Sequence, residues 1–160
     1  MRIKYAFAAI VSFLTFAFVT GIFNTAPAPF ANEAQAAIER VPLKGHFWKK
    51  AKGDAVIKDL QPGQKEVTIS ASGLKPDSTY TVWLVNEKPK SDMTGLGTGD
   101  YSFKTDDKGM GRYTATVPES EIGKWAMFEV AYHPDNNPAN MKDMKIALKG
   151  DLKKAMTKTR

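Results

Sequence analysis

His133, Met141 and Met144 fall within a stretch of 12 residues. An imidazole beside two soft thioethers suits Cu(I), so this set predicts an extracytoplasmic copper-binding carrier as one reading of the chain. Against it, Met127 and Met144 lie in or beside strand-like segments where a methionine ordinarily fills core. His46 and His133 are the only imidazoles. Neither stands near a recognisable serine nucleophile, and no Gly-x-Ser-x-Gly elbow is present. Each is read as a strand-end or surface histidine, and the chain as a non-enzyme. Asp106 with Asp107, and Glu119 with Glu121, are explained by a turn and a helix start rather than by a glycosidase pair. The loop bearing Asp135, Asn136, Asn137, Asn140 and Asp143 is rich in oxygen, but it lacks the spacing and closing glutamate of a calcium loop. No cysteine occurs, which excludes thiol catalysis, cysteine zinc sites, blue copper, disulfides and a lipid-modified N-terminus.

The second candidate site is a surface rather than a ligand set, and it depends on strands. Short β-rich runs recur at the spacing of a sandwich or barrel, with little helical periodicity. They cover Val41–Trp48, Asp54–Leu60, Glu66–Ala71, Thr79–Asn86, Tyr101–Thr105, Arg112–Val117, Trp125–His133 and Lys145–Leu148. Lys52-Gly53, Gln61 to Gln64 and Asp106 to Gly109 supply turn chemistry, and Ser120 to Gly123 one helical turn. Glu87 to Thr94 reads as a loop. Gly95 to Gly99 has a fragment of phosphate-loop character without its Lys-Ser/Thr, and reads as a flexible turn or bulged strand. Thr79–Asn86 and Trp125–His133 are apolar on both faces, which places them mid-sheet. If Tyr80, Val82 and Leu84 point inward, Trp83 and Val85 point outward. The same alternation in the later strand puts Trp125 and Met127 outward. Trp83, Val85, Trp125 and Met127 would then form one apolar binding face, unless Phe47 and Trp48, or the Asn136–Met144 loop, fold over it.

Two family resemblances bear on the fold. Gly73-Leu74-Lys75-Pro76-Asp77-Ser78-Thr79-Tyr80-Thr81-Val82 resembles the corner segment of fibronectin type III domains. That resemblance implies an antiparallel immunoglobulin-like β-sandwich of seven or eight strands, with Leu74 in the core and the Tyr80 hydroxyl bonded back to the loop backbone. Tyr80 to Val85, the glycine-rich segment and the turn at Asp107-Lys108-Gly109 loosely resemble the extracytoplasmic domain of anti-sigma-K-type factors. This implies an exported sandwich, without the family's sigma-binding part.

Export has its own signal. Arg2 and Lys4 precede an apolar run from Ala6 to Phe23, and a Pro- and Ala-rich stretch ends in Ala34-Gln35-Ala36. That order predicts an N-terminal signal helix and cleavage after residue 36. The competing reading is an uncleaved membrane anchor, since an apolar run of 18 residues approaches a span. The expected organisation is a signal peptide at 1–36, a β-sandwich domain at 37–152 and a solvated basic tail at 153–160. The 23 basic and 17 acidic residues of the chain are unevenly placed. Residues 37–160 hold 21 basic against 16 acidic residues, and Lys149, Lys153, Lys154, Lys158 and Arg160 stand against Asp151 alone, so nearly all the net charge of that part sits at the C-terminus. The favoured function is a secreted or cell-envelope-associated binding protein, whose partner is a protein or an envelope polymer. Specific nucleic-acid binding is not expected.

Overall fold

The computed structural model describes residues 38–88 and 91–157. The expected signal segment at 1–36 lies outside the described residues. Within them the chain is almost wholly antiparallel β. The strands are β1 (Ile38–Gly45), β2 (Lys52–Gln61), β3 (Gln64–Ser72), β4 (Thr79–Asn86), β5 (Asp92–Gly95), β6 (Ser102–Lys104), β7 (Gly111–Pro118), β8 (Met127–His133) and β9 (Lys145–Asp151). Two short helices follow strands: α1 (Glu119–Ile122) after β7 and α2 (Leu152–Thr157) after β9.

All nine strands join one sheet in the order β5-β4-β8-β9-β1-β2-β3-β7. β8 takes one side of β4, so β5 and β6 share the other, β5 beside Trp83–Asn86 and β6 beside Thr79–Thr81. The hairpin from β6 leads directly into β7, and the two lie against each other. The two ends of the sheet therefore meet, and the sheet curls around its core. Tyr113 of β7 fastens this seam by donating its hydroxyl to the Leu96 carbonyl at 2.7 Å.

The two-faced strands sit where their composition requires. β4 and β8 are neighbours, with Tyr80 opposite Tyr132, Val82 opposite Val130 and Leu84 opposite Phe128. These six side chains are buried in the main core with Val41, Leu43, Ile57, Ile69 and Leu148. The corner before β4 is built around Tyr80. Its ring is fully buried, its oxygen accepts the Lys75 N–H at 2.9 Å, and Leu74 is buried beside it. Burial pushes its hydroxyl pKa up to about 12, because the phenolate would lose its hydration. Tyr80→Phe removes this one hydrogen bond and should cost about 0.5–1.5 kcal/mol. The midpoint of urea unfolding reads that change, and an unmoved midpoint would mean the bond contributes nothing.

Several expected elements are displaced. Lys52 and Gly53 belong to β2 rather than to a turn. A Cβ at Gly53 would strike the Ser70 carbonyl of β3, so this glycine serves close strand approach. The turn falls instead at 46–51. β5 lies in the segment expected to be a loop, its pairing supplied by β4. The turn after β6 is as expected: Gly109 has a φ of 71°, and the Asp106 carboxylate accepts the Lys108 and Met110 N–H groups.

The basic tail is the largest departure. Residues 152–157 form α2, with no frayed end among those described. Asp151 Oδ1 accepts the Lys154 N–H at 2.8 Å, a side-chain cap on the first turn. Leu152 is fully buried, and Ala155 and Met156 pack on the core. Leu152 is the apolar anchor that local charge density hides.

Candidate functional site: a basic pocket where two strands part

β1 turns Val41 and Leu43 into the core and leaves Arg40, Pro42 and Lys44 on the outer face. It pairs with β9 at only two positions, Lys44 with Lys149 and Gly45 with Leu148. Past Gly45 the His46 and Phe47 N–H groups still donate to the Ala147 and Ile146 carbonyls of β9, but towards Ile38 the ladder stops and leaves a gap, with α2 packed beside β1 and β8. The gap is a pocket of about 750 Å³. Its cationic lining is Arg40, Lys44, Lys149 and Lys154, with the His46 imidazole beside them, and Asp151 is its one acid. Pro42, Met127 and Ala155 give it apolar walls.

The cations are not equivalent. Arg40 is paired with Asp54 at 2.9 Å. Lys149 reaches Glu129 at 2.7 Å and Glu87 at 2.9 Å. Burial alone would lower the Lys149 pKa, but the bonds to Glu129 and Glu87 outweigh it and hold the ammonium above the usual lysine value. The same contact with Lys149 pulls the Glu87 carboxyl below the usual carboxylate range. Lys44 and Lys154 carry no ion pair among the described residues.

Register adds a second observation. Lys149 stands opposite Lys44, and Lys44 opposite Lys52 on the next strand. Like charges directly opposite in a sheet repel. Lys149 is compensated by its two glutamates, while Lys44 is flanked by cations on both sides. No single segment of sequence reveals this row, which brings together residues from opposite ends of the chain. Its one trace is the charge concentrated from Lys149 onward.

The apolar face expected on the outside of the sheet is not an open surface. Trp83, Val85 and Met127 do share the outer side of β4 and β8, with Val85 opposite Met127. Trp83 and Val85 are each only 6 % exposed. The Tyr101 ring meets Trp83 edge-on at 4.7 Å, and Met144 and Ile146 complete the cover. Gly95 permits this, because a Cβ there would collide with the Tyr101 ring. Trp125 is not on this face. Regular alternation begins only at Met127, and Trp125 turns into the main core, where it is 7 % exposed and donates Nε1–H to Glu121 at 3.1 Å. Trp48 packs on Tyr132 and Tyr80 in the main core instead of covering the outer face. Of the four residues of this expected face, only Met127 lines the pocket.

The expected copper ligands are also otherwise engaged. His133 is fully buried, with Nε2 at 2.8 Å from Thr81 Oγ1 and Nδ1 at 3.1 Å from the Asn140 carbonyl. A metal would have to displace one of these bonds. Met144 belongs to the apolar cover over Trp83, and Met141 is 39 % exposed. No group of three or more His, Asp or Glu able to hold a metal occurs among the described residues. In the loop after β8 the polar side chains hold one another and the backbone: Asp135 binds Asn137 N–H and the Asn140 amide, and Asn136 Oδ1 accepts Thr79 N–H. No described helix is long and apolar enough to cross a membrane. No family model, curated protein or solved structure matches the chain.

Proposed function

We propose that the chain is an exported, non-enzymatic binding module of the cell envelope, and that the basic pocket between β1, β9 and α2 is its ligand site. The observation that carries this reading is the pocket itself. Its size falls in the range of small-molecule sites, and it holds two ammonium groups, Lys44 and Lys154, with no ion pair among the described residues. Structural lysines at a strand junction would be expected to face acids, as Lys149 does. The immunoglobulin-like sandwich is part of the same reading, supported by the Leu74–Tyr80 corner and its hydroxyl-to-backbone bond. Export rests on the basic, apolar and small-residue order of residues 1–36.

Cosedimentation with isolated cell envelopes tests the reading. The protein should pellet with them in a salt-sensitive way. The Lys44→Glu/Lys154→Glu variant should stay in solution. Both lysines are exposed, so the variant should melt at nearly the same temperature. Equal retention of the two proteins would overturn the assignment of the pocket. The protein recovered from the extracytoplasmic fraction should begin at Ala37.

A further inference from the structure

We infer that the pocket takes an amphiphilic anion, a carboxylate or phosphate head group on an aliphatic chain. This rests on the reading of the pocket as the ligand site and specifies its occupant. A space of about 750 Å³ is far larger than an inorganic anion needs. The walls divide by chemistry. Pro42, Met127 and Ala155 offer apolar surface, joined by the methylene stems of the lysines. Lys44 and Lys154 offer the charge. Arg40 and Lys149 contribute less, because Asp54, Glu87 and Glu129 already neutralise them.

The choice of lysine narrows the head group. An ammonium is a compact point charge without the planar fork that selects a bidentate partner. It accepts a carboxylate or a phosphate monoester equally. The opposed row Lys149–Lys44–Lys52 is repulsive while the pocket is empty and is relieved when a negative head sits among the cations. Asp151 at the α2 end opposes a second negative group. One anionic head with an uncharged remainder fits this distribution.

Titration calorimetry on the full chain tests the inference with decanoate, decyl phosphate, decanol and inorganic phosphate. Decanoate and decyl phosphate should bind, with decanol and inorganic phosphate each at least about tenfold weaker. Lys44→Ala/Lys154→Ala should weaken both amphiphiles by at least about tenfold. Lys58→Ala/Lys108→Ala, which removes equal charge elsewhere, should leave their binding unchanged. Vesicles of phosphatidylcholine with and without phosphatidylglycerol distinguish the source. Capture by the anionic vesicles that depends on Lys44 and Lys154 supports a lipid head group, and binding of the free amphiphiles alone supports a soluble ligand. Three results would overturn the inference: decanol binding as well as decanoate, inorganic phosphate matching decyl phosphate, or no binding of either amphiphile. If the amphiphiles fail while envelope retention still depends on Lys44 and Lys154, the ligand class is wrong and the binding site stands.

Discussion

Replacing Lys149 with methionine should destabilise the protein by about 2–4 kcal/mol at neutral pH. Glu129 lies on the outer face of β8 with its side chain only 9 % exposed, directly opposite Lys149 across the β8–β9 ladder. Methionine keeps most of the lysine stem and its packing but removes the ammonium 2.7 Å from that carboxylate. The carboxylate is then a buried charge without its partner. The Lys149 side chain is itself 31 % exposed, so water enters and holds the cost below that of a fully enclosed pair.

The companion variants separate the causes. Glu87→Gln should leave the unfolding midpoint nearly unchanged, because that carboxylate is on the surface and screened. Lys149→Met combined with Glu129→Gln should recover most of the loss, since the orphaned charge has gone. The pH dependence has a definite sign. The Lys149 pKa is raised by folding, so its contribution is fully present below the unfolded lysine value and is lost as the pH rises through the folded one. The variant lacks that contribution throughout. The gap between variant and wild type should therefore hold steady up to the unfolded lysine value and narrow as the pH rises beyond it. Urea unfolding at a series of alkaline pH values measures it, and a gap that does not narrow there would show that the Lys149 charge is not the origin of the cost.

The same residues explain what could be read from the chain and what could not. β4 and β8 were legible because burial on both faces leaves a continuous apolar record in their own residues. The Asp106–Gly109 turn was legible because it is a local contract, one glycine at positive φ, and the Tyr80 hydroxyl bond through the resemblance of Gly73–Val82 to a corner in which one phenol reaches five residues back. β5 was not legible. Its residues Asp92 to Gly95 are polar, and their extended form is stabilised by the neighbouring edge of β4 rather than by their own propensity. α2 was hidden for the opposite reason, since its lysines dominate the composition while Leu152 alone makes the buried anchor. Alternation misplaced Trp125 because it presumed that the strand begins there. The pocket was beyond local reasoning altogether. It exists because the β1–β9 ladder stops at Lys44 and Lys149 on the side towards Ile38.

The second large effect should come from Thr81→Val, a change that preserves shape and removes one hydroxyl. Thr81, Trp83 and His133 form a buried chain of hydrogen bonds whose direction follows from their chemistry. The Asn140 carbonyl can only accept, so the facing Nδ1 of His133 carries the proton. The neutral ring then has a bare Nε2, which must receive the Thr81 hydroxyl proton at 2.8 Å. The Thr81 oxygen in turn accepts the Trp83 indole N–H at 2.7 Å. One hydroxyl thus satisfies two side chains that are both buried. Valine leaves the indole N–H and the imidazole nitrogen without partners at once, at about 1–3 kcal/mol each. A total loss of about 2–6 kcal/mol is expected from the urea midpoint. Thr81→Ser keeps the hydroxyl and gives up one methyl group, so it should cost about 1 kcal/mol. The effect should also reach the outer face. His133 holds the Asn140 carbonyl, and Asn136 of the same loop caps the Thr79 N–H. Met144, at the end of that loop, helps cover Trp83. With the chain of bonds broken, iodide quenching of Trp83, measured in a protein whose other tryptophans are phenylalanine, should rise in the valine variant and not in the serine one. Valine and serine variants of equal stability and equal quenching would mean that the hydroxyl bonds hold neither the strand pair nor the loop.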